Sequence, residues 1–410
     1  MKGGNAMPVE VIPKRFCAGT HRACAPSETL RRVRPLLGAM GITRVGNITG
    51  LDHIGIPVAI AVRPNARSLA VAAGKGATWP AAQVSALMEA VETHHAEHIE
   101  LPLARASARE LERKRAVVEI ETLPQMLGAG VSRDSRLLWL DGYDLMQEET
   151  VAVPYEAVSL DFTLPGMAGG GVFAASSNGL ASGNHRLEAI SHALNEVIER
   201  DALALWSAQG ADARNRTRVQ RASVDDALCR AMLERCERAG VEATIWNITS
   251  AVGIAAFRCR LRPRAASGGH WEYAAPGTGC HPARAVALLR ALTEAAQVRL
   301  VYIAGVRDDL FRDLYARMQD PGWQAREGLD EGEGACAFAE VPDATHADFG
   351  AEVAFQLERL RAAGLRRAIA VDLTRVEFAI PVVKMMVPEM EGHPFAAQYV
   401  AGARARRVGR

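Results

Sequence analysis

Apolar and polar positions recur with two periods along this chain, and the changes of period mark its elements. Segments 42–49 and 54–62 are β-branched runs bounded by Gly and Pro and read as strands. Segments 136–140, 151–153, 243–248, 253–261, 368–373 and 380–387 read the same way. Helical spacing predicts long helices over 80–100, 186–207, 224–239, 282–303 and 349–363, and a charged surface helix over 106–116. Nearer the start, Ser27 is placed to cap a helix that runs through Met40 and stops at Gly41. Gly74-Lys75-Gly76 and the Gly-, Ser- and Asn-rich stretch 169–184 read as loops, and 320–348 as irregular acidic, Gly-rich surface. Strands followed by long helices predict α+β layers with antiparallel pairing. One echo stands out. Ile56-Pro57-Val58 is followed by Pro64, and Ile380-Pro381-Val382 by Pro388, at identical spacing. A repeat and a chance match are both open on that pattern alone.

Three of the long helices carry acids within apolar sequence. Ser85, Glu89 and Glu92 share one helix face, among Ala86, Leu87, Met88, Ala90 and Val91. Glu188, Glu196 and Glu199 fall within roughly 80° of one another on the second helix, with Arg200 beside them and Asn184 one turn ahead. On the third, Arg290 and Glu294 are one turn apart, and Gln297 follows. Two readings stand. The acids are solvated faces with intrahelical ion pairs, or they are a carboxylate cluster neutralised by a cation. Mg2+, which takes oxygen ligands and bridges phosphates, would reconcile such a cluster with burial.

Other chemical signals are weaker. Lys75 has no P-loop around it, because Leu69 stands where a Gly is needed and Gly76 where Ser or Thr is needed. His94 and His98 share a face, but His-Glu-x-x-His is absent, so they read as ordinary helix histidines and not zinc ligands.

Composition narrows the classes. With 410 residues, 49% apolar and 23% charged, the chain reads as a soluble globular protein of useful core size. Its net charge of +1 offers no concentrated positive field for nucleic acid or an anionic membrane. No apolar run approaches the ~20 residues of a membrane span, and residues 1–10 have no apolar signal core. Seven scattered cysteines without a Cys-x-x-Cys pair read as reduced thiols, which fits a cytoplasmic location.

The acids belong to a longer series of motifs. Gly74-Lys75-Gly76, Ser85-x3-Glu89-x2-Glu92, Ser177-Asn178-Gly179-Leu180-Ala181-x-Gly183-Asn184, Glu188, Glu196-x2-Glu199-Arg200-Asp201 and Arg290-x3-Glu294-x2-Gln297 follow one another. In this the chain resembles the YcaO family of ATP-dependent peptide-backbone-modifying enzymes, over most of its length. The resemblance implies one compact α+β domain over 1–410, its β-sheets and long helices converging on a Mg-ATP site. Residues 1–40 would form an N-terminal segment and 320–348 an insertion. It implies ATP and Mg2+ as cofactors, with Glu89, Glu92, Glu188, Glu196, Glu199 and Glu294 holding the metal. Ser85, Asn184 and Arg200 match family nucleotide contacts. Arg290 stands where some members have Gln, and Arg22 and Thr29 match an N-terminal Lys/Ser pair that reaches the nucleotide.

The resemblance also implies a reaction. A nucleophile adds to a peptide amide carbon, the oxyanion takes the γ-phosphate of ATP, and phosphate leaves. Phosphoryl transfer asks chiefly for positioning and charge neutralisation, which Glu, Mg2+, Arg and Asn supply. The run 41–58 resembles the branch that works beside a TfuA-like partner, and the C-terminus lacks Pro-x-Pro-x-Pro. That implies thioamide formation on a ribosomally made peptide or protein, with an external sulfur donor. An azoline-forming cyclodehydratase is the alternative, and a non-catalytic scaffold for peptide and partner is the alternative of another class. A scaffold would be expected to have lost glutamates, and all are present. No nucleic-acid or membrane partner is expected, and a homodimer is left open.

Overall fold

Pro and Gly set many element boundaries here, and the helices are positioned by how closely they approach the strands. The computed structural model describes residues 10–126, 128–164, 170–264, 274–318, 334–396 and 399–409. Residues 320–333 of the expected insertion, and Gly169 in the Gly-rich stretch, lie outside the described residues. The chain opens with helix α1 (Pro26–Val33), strands β1 (Arg44–Asn47), β2 (Val58–Val62) and β3 (Val71–Lys75), and helix α2 (Trp79–Glu97). Strand β4 (Ala104–Ala106), helix α3 (Ala108–Glu112) and strands β5 (Ala116–Val117), β6 (Leu137–Asp144), β7 (Glu149–Pro154) and β8 (Leu180–Ser182) follow. Next come helices α4 (Arg186–Ser207), α5 (Ala211–Arg216) and α6 (Ala227–Arg238), then strands β9 (Val241–Asn247), β10 (Ala256–Pro263) and β11 (Ala275–Cys280). Helices α7 (Arg284–Ala304), α8 (Arg312–Met318) and α9 (Phe349–Ala362), strands β12 (Ile369–Asp372) and β13 (Val382–Met386), and helix α10 (Ala403–Val408) complete it.

The chain divides into two compact units. The first comprises Met1–Arg15, Val91–Ala208 and His346–Arg410, and the second Phe16–Ala90 and Gln209–Thr345. The first unit holds one seven-stranded sheet, in the order β5-β7-β6-β12-β13-β8 with β4 also on β6. The second holds two three-stranded sheets, β1-β2-β3 and β11-β10-β9. Pairing is antiparallel, as expected, except between β5 and β7. The fold is therefore α+β.

Several elements depart from the sequence expectation for identifiable reasons. The first helix starts at Pro26, with Ala25 and not Ser27 as its cap, because proline is preset for the first helical position. It ends at Val33, ahead of Pro35, which has no N–H to continue the ladder. Gly74 and Lys75 are not loop but the end of β3, Leu180–Ser182 is a strand within the expected loop, and β11 was not expected at all. Glycine is rare in strands, so Gly-rich strands look like loops. Here it serves close packing. A Cβ on Gly74 would lie 2.0 Å from the Ala86 nitrogen of α2, and one on Gly279 2.2 Å from the Ala287 carbonyl oxygen of α7.

The Ile-Pro-Val echo is a true repeat, and there is a third copy. Val58 pairs with Lys75, Val382 with Ser182 and Ala256 with Cys280. One residue further out, the Pro57, Pro381 and Ala255 carbonyls accept from the N–H groups of Gly76, Gly183 and His281, at 3.3, 3.1 and 3.0 Å. Each strand pair then turns into a long helix, α2, α4 or α7. Counted from Gly76, Gly183 and His281, the same helix position is Glu89, Glu196 and Glu294. Three residues on it is Glu92, Glu199 and Gln297. The acids therefore recur because the strand–turn–helix unit recurs.

Candidate active site

The repeat places the expected site residues evenly in the two units. Glu92, Asn184, Glu188, Glu196, Glu199 and Arg200 lie in the first. Arg22, Thr29, Ser85, Glu89, Arg290 and Glu294 lie in the second.

In the first unit, α4 is buried along Leu187, Ala189, Ile190, Ala193, Leu194, Val197 and Ile198, and this apolar side fixes where its acids stand. Glu188 and Glu199 are themselves only 2% exposed. Asn184 Nδ2 lies 3.4 and 3.5 Å from the two oxygens of Glu188. Arg200 reaches Glu199 at 3.3 Å and Glu196 at 3.6 Å. On α2, Glu92 Oε1 accepts from both the N–H (2.8 Å) and the hydroxyl (2.7 Å) of Ser182, at the end of β8. So Asn184–Glu188 and Glu196–Arg200–Glu199 come together as expected, and Ser182 separately holds Glu92.

Two further groups of the first unit have contacts that the sequence did not assign, although Asp201 stands in one of its motifs. Lys384 of β13 is buried and donates to the Ser176 carbonyl at 2.5 Å. Burial pushes its amine down to about 8, and the Glu196 carboxylate opposes that shift. Asp201, next to Arg200, is fully buried and takes a two-pronged bond from Arg404 of α10 at 2.9 and 2.8 Å. Burial raises the Asp201 carboxyl and Arg404 counters it. Glu391 accepts from the Gly402 and Ala405 N–H groups and the Tyr399 hydroxyl, which fastens the C-terminal helix beside the Glu199–Arg200 pair. A Lys and an Arg far along the chain carried no local signal of these roles.

In the second unit, Glu294 is gripped from two sides. Its Oε1 accepts from the N–H (3.2 Å) and hydroxyl (3.1 Å) of Thr278, and its Oε2 pairs with the Lys75 amine at 2.5 Å. Gln297 donates to the Ala73 carbonyl at 3.0 Å, tying the same face of α7 to β3. Glu89 is half-buried, and its charge acts on Arg307, whose guanidinium is held charged first by Asp309 and then by Glu89. Ser85 and Arg290 are half-buried at equivalent repeat positions on α2 and α7. Thr29 is buried on α1, 3.5 Å from Cys24 Sγ, and Arg22 pairs with Phe16 through the backbone. Lys75 and Thr278 are additions to the expected set. Gly74-Lys75-Gly76 had marked Lys75 as a motif residue without a role.

The donor chemistry suits Mg2+. The candidate ligands are carboxylate oxygens, the hard donors that ion takes, at buried or half-buried positions where bare acids would repel. The histidines at the end of α2 bond as helix histidines. His98 Nδ1 donates to the His94 carbonyl at 2.9 Å, and His95 Nδ1 to that of Val91 at 2.7 Å. Among the described residues no helix is long and apolar enough to cross a membrane.

Comparison with known proteins gives a consistent answer. Residues 73–391 match the family described as YcaO cyclodehydratase, ATP- and Mg2+-binding. An uncharacterised protein of the tfuA 3′ region of Rhizobium leguminosarum bv. trifolii is 36% identical over 92% of this chain and 91% of its own. An uncharacterised protein of Methanothermobacter thermautotrophicus is 35% identical over 90% of this chain and 95% of its own. YcaO from Methanopyrus kandleri, bound with AMPPCP and Mg2+, superposes with a TM-score of 0.75 at 25% identity, covering 95% of this chain and 98% of that one. A heterocyclase in complex with substrate and cofactor shares the fold, with a TM-score of 0.79 at 22% identity, covering 96% of this chain and 55% of the other.

Proposed function

The chain belongs to the YcaO family of ATP-dependent, Mg2+-binding peptide-modifying enzymes, and from that premise we propose that it converts a backbone amide of a ribosomally made peptide or protein into a thioamide. A TfuA-like protein would be its partner and an external sulfur donor its co-substrate. The observation that carries this reading is the end-to-end similarity to a protein of the tfuA 3′ region. We assign the full chain to one catalytic domain acting in the cytoplasm.

The balance of the reaction is simple. A sulfur nucleophile at the sulfide level adds to the amide carbon, the oxyanion takes the γ-phosphoryl group, and C–O cleavage releases phosphate and leaves C=S. No protein nucleophile is needed. Mg2+, when bound, would supply charge neutralisation on the phosphates. Glu89, Glu92, Glu188, Glu196, Glu199 and Glu294 are its proposed ligands. Ser182 and Thr278 orient Glu92 and Glu294, and Asn184 orients Glu188, so that these carboxylates are in place before ATP arrives. Arg200, Asn184, Ser85, Arg290, Arg22 and Thr29 are the proposed nucleotide contacts. Asp201 and Arg404 hold the backbone beside Arg200.

Intact mass of a candidate peptide tests the outcome, with the enzyme, a TfuA-like protein, ATP, Mg2+ and sulfide present. We expect a gain equal to exchange of one oxygen for sulfur, dependent on ATP. Loss of one water would instead identify an azoline-forming enzyme. No mass change with any cognate peptide, alongside undiminished peptide binding, would support a scaffold.

A further inference from the structure

Each of the three equivalent acids of the repeat stands in the field of a cation. The charge of Glu89 acts on Arg307, that of Glu196 acts on Lys384 while its ion pair is with Arg200, and Glu294 is paired directly with Lys75. Lys75 meets its acid directly, at 2.5 Å. It also sits at a telling register position. Lys75 and Ser182 are equivalent residues of the repeat, each opposite the first residue of the neighbouring strand. Ser182 holds the Glu92 carboxylate, and Lys75 holds that of Glu294. The position before the turn is thus a carboxylate holder in two copies of the repeat, once with a neutral donor and once with a charge.

This pair is not built like a structural one. In the same unit, Arg299 and Asp52 form a two-pronged pair at 2.7 and 3.2 Å with side chains 1% and 3% exposed. Lys75 and Glu294 are 20% and 19% exposed and meet through the Lys75 amine and Glu294 Oε2. An ammonium is a compact point charge on a flexible stem, where a guanidinium is a rigid fork. The Thr278 bonds are on Oε1 and the Lys75 contact is on Oε2, so the two holds use different oxygens. One oxygen is held by the frame of β11 and the other by a cation on a flexible stem.

We infer that Lys75 is a resident substitute for the metal: it balances Glu294 in the metal-free enzyme, competes with Mg2+ for that carboxylate, and is displaced when the ion binds. This rests on the reading of Glu294 as a metal ligand. It makes Lys75 a positioning residue, which keeps Glu294 aimed between turnovers. The consequence has an unusual sign, because removing a residue of the site should strengthen metal binding.

The test uses Mn2+ as a spectroscopic substitute for Mg2+, with binding followed by electron paramagnetic resonance in the absence of nucleotide. Lys75→Met should bind Mn2+ roughly tenfold more tightly than wild type, the scale of removing one charge a few ångström from the ion at a half-buried site. The gain should vanish in the Glu294→Gln background. Lys75→Arg, a stronger competitor, should bind Mn2+ more weakly than wild type. That second variant decides the matter if Lys75→Met does not fold. Unchanged or weaker binding in a folded Lys75→Met, or unchanged or tighter binding in Lys75→Arg, overturns the inference while leaving the site reading intact. If Glu294→Gln alone binds Mn2+ as wild type does, Glu294 is no ligand, and both the inference and that part of the site reading fall.

Discussion

Glu199→Gln will cut substrate-dependent ATP turnover by about 10²-fold or more, the scale of losing a preorganised electrostatic group, and will leave the apo protein folded. Glu199 is 2% exposed on the buried side of α4, with Arg200 as its described ion-pair partner at 3.3 Å. Gln has the same size and shape, so α4 packs as before. What changes is one negative charge at the proposed metal site, where a hard anionic ligand would become a weak neutral one. A residue that served only the fold would behave otherwise. Losing a buried ion pair would lower stability and activity together. Here Arg200 keeps Glu196 at 3.6 Å when Glu199 loses its charge, so no cation is stranded, and repulsion between the two neighbouring acids is relieved; apo stability should hold or rise. Melting temperature and phosphate release are to be measured on one preparation. A variant with full turnover, or one inactive only because it has unfolded, would remove Glu199 from the site.

The second large effect is on folding. Gly74→Ala should cost more than ~4 kcal/mol, the range reserved for severe core overpacking or backbone clash. The new Cβ would stand 2.0 Å from the Ala86 nitrogen, 2.4 Å from the Ala82 oxygen and 2.7 Å from the Ala86 Cα. These are backbone atoms of α2, so no side chain can swing away, and the helix itself must retreat from β3. We expect an insoluble protein or a melting temperature lower by about 10 °C or more. Gly38→Ala is the control. Its Cβ would meet nothing within 4 Å, and it should stay within ~0.5 kcal/mol of wild type. A Gly74→Ala protein that melts like wild type would show that α2 does not depend on that close approach. The same spacing carries Glu89, so the glycine and the acid are parts of one device.

That device explains which features could be read from sequence. The bounds of α4 were visible because 22 residues of helical periodicity run from Arg186 to Ser207 without interruption. The acids were visible because charge on an apolar helix is conspicuous. β3 and β11 were not, since their glycines suppress the strand signal while serving the helix contact at Gly74, Gly277 and Gly279. The repeat showed in two copies because both begin Ile-Pro-Val. Its third copy has Ala255-Ala256 at the equivalent place and is recognised only from strand register. The partners of the acids follow the same rule. Asn184–Glu188 and Glu196–Arg200 are one helical turn apart and legible, but Lys75–Glu294, Ser182–Glu92 and Arg404–Asp201 depend on elements far apart in the chain. Local pattern has no access to such pairs.

The central claim is that this enzyme activates the oxygen of a peptide amide by transferring phosphate to it. A peptide substrate synthesised with heavy oxygen in the reacting carbonyl tests it in one step. After reaction with ATP, Mg2+, the partner and the sulfur donor, inorganic phosphate is collected and weighed by mass spectrometry. The account predicts one heavy oxygen in the phosphate for each amide modified. Modified peptide accompanied by unlabelled phosphate would contradict it.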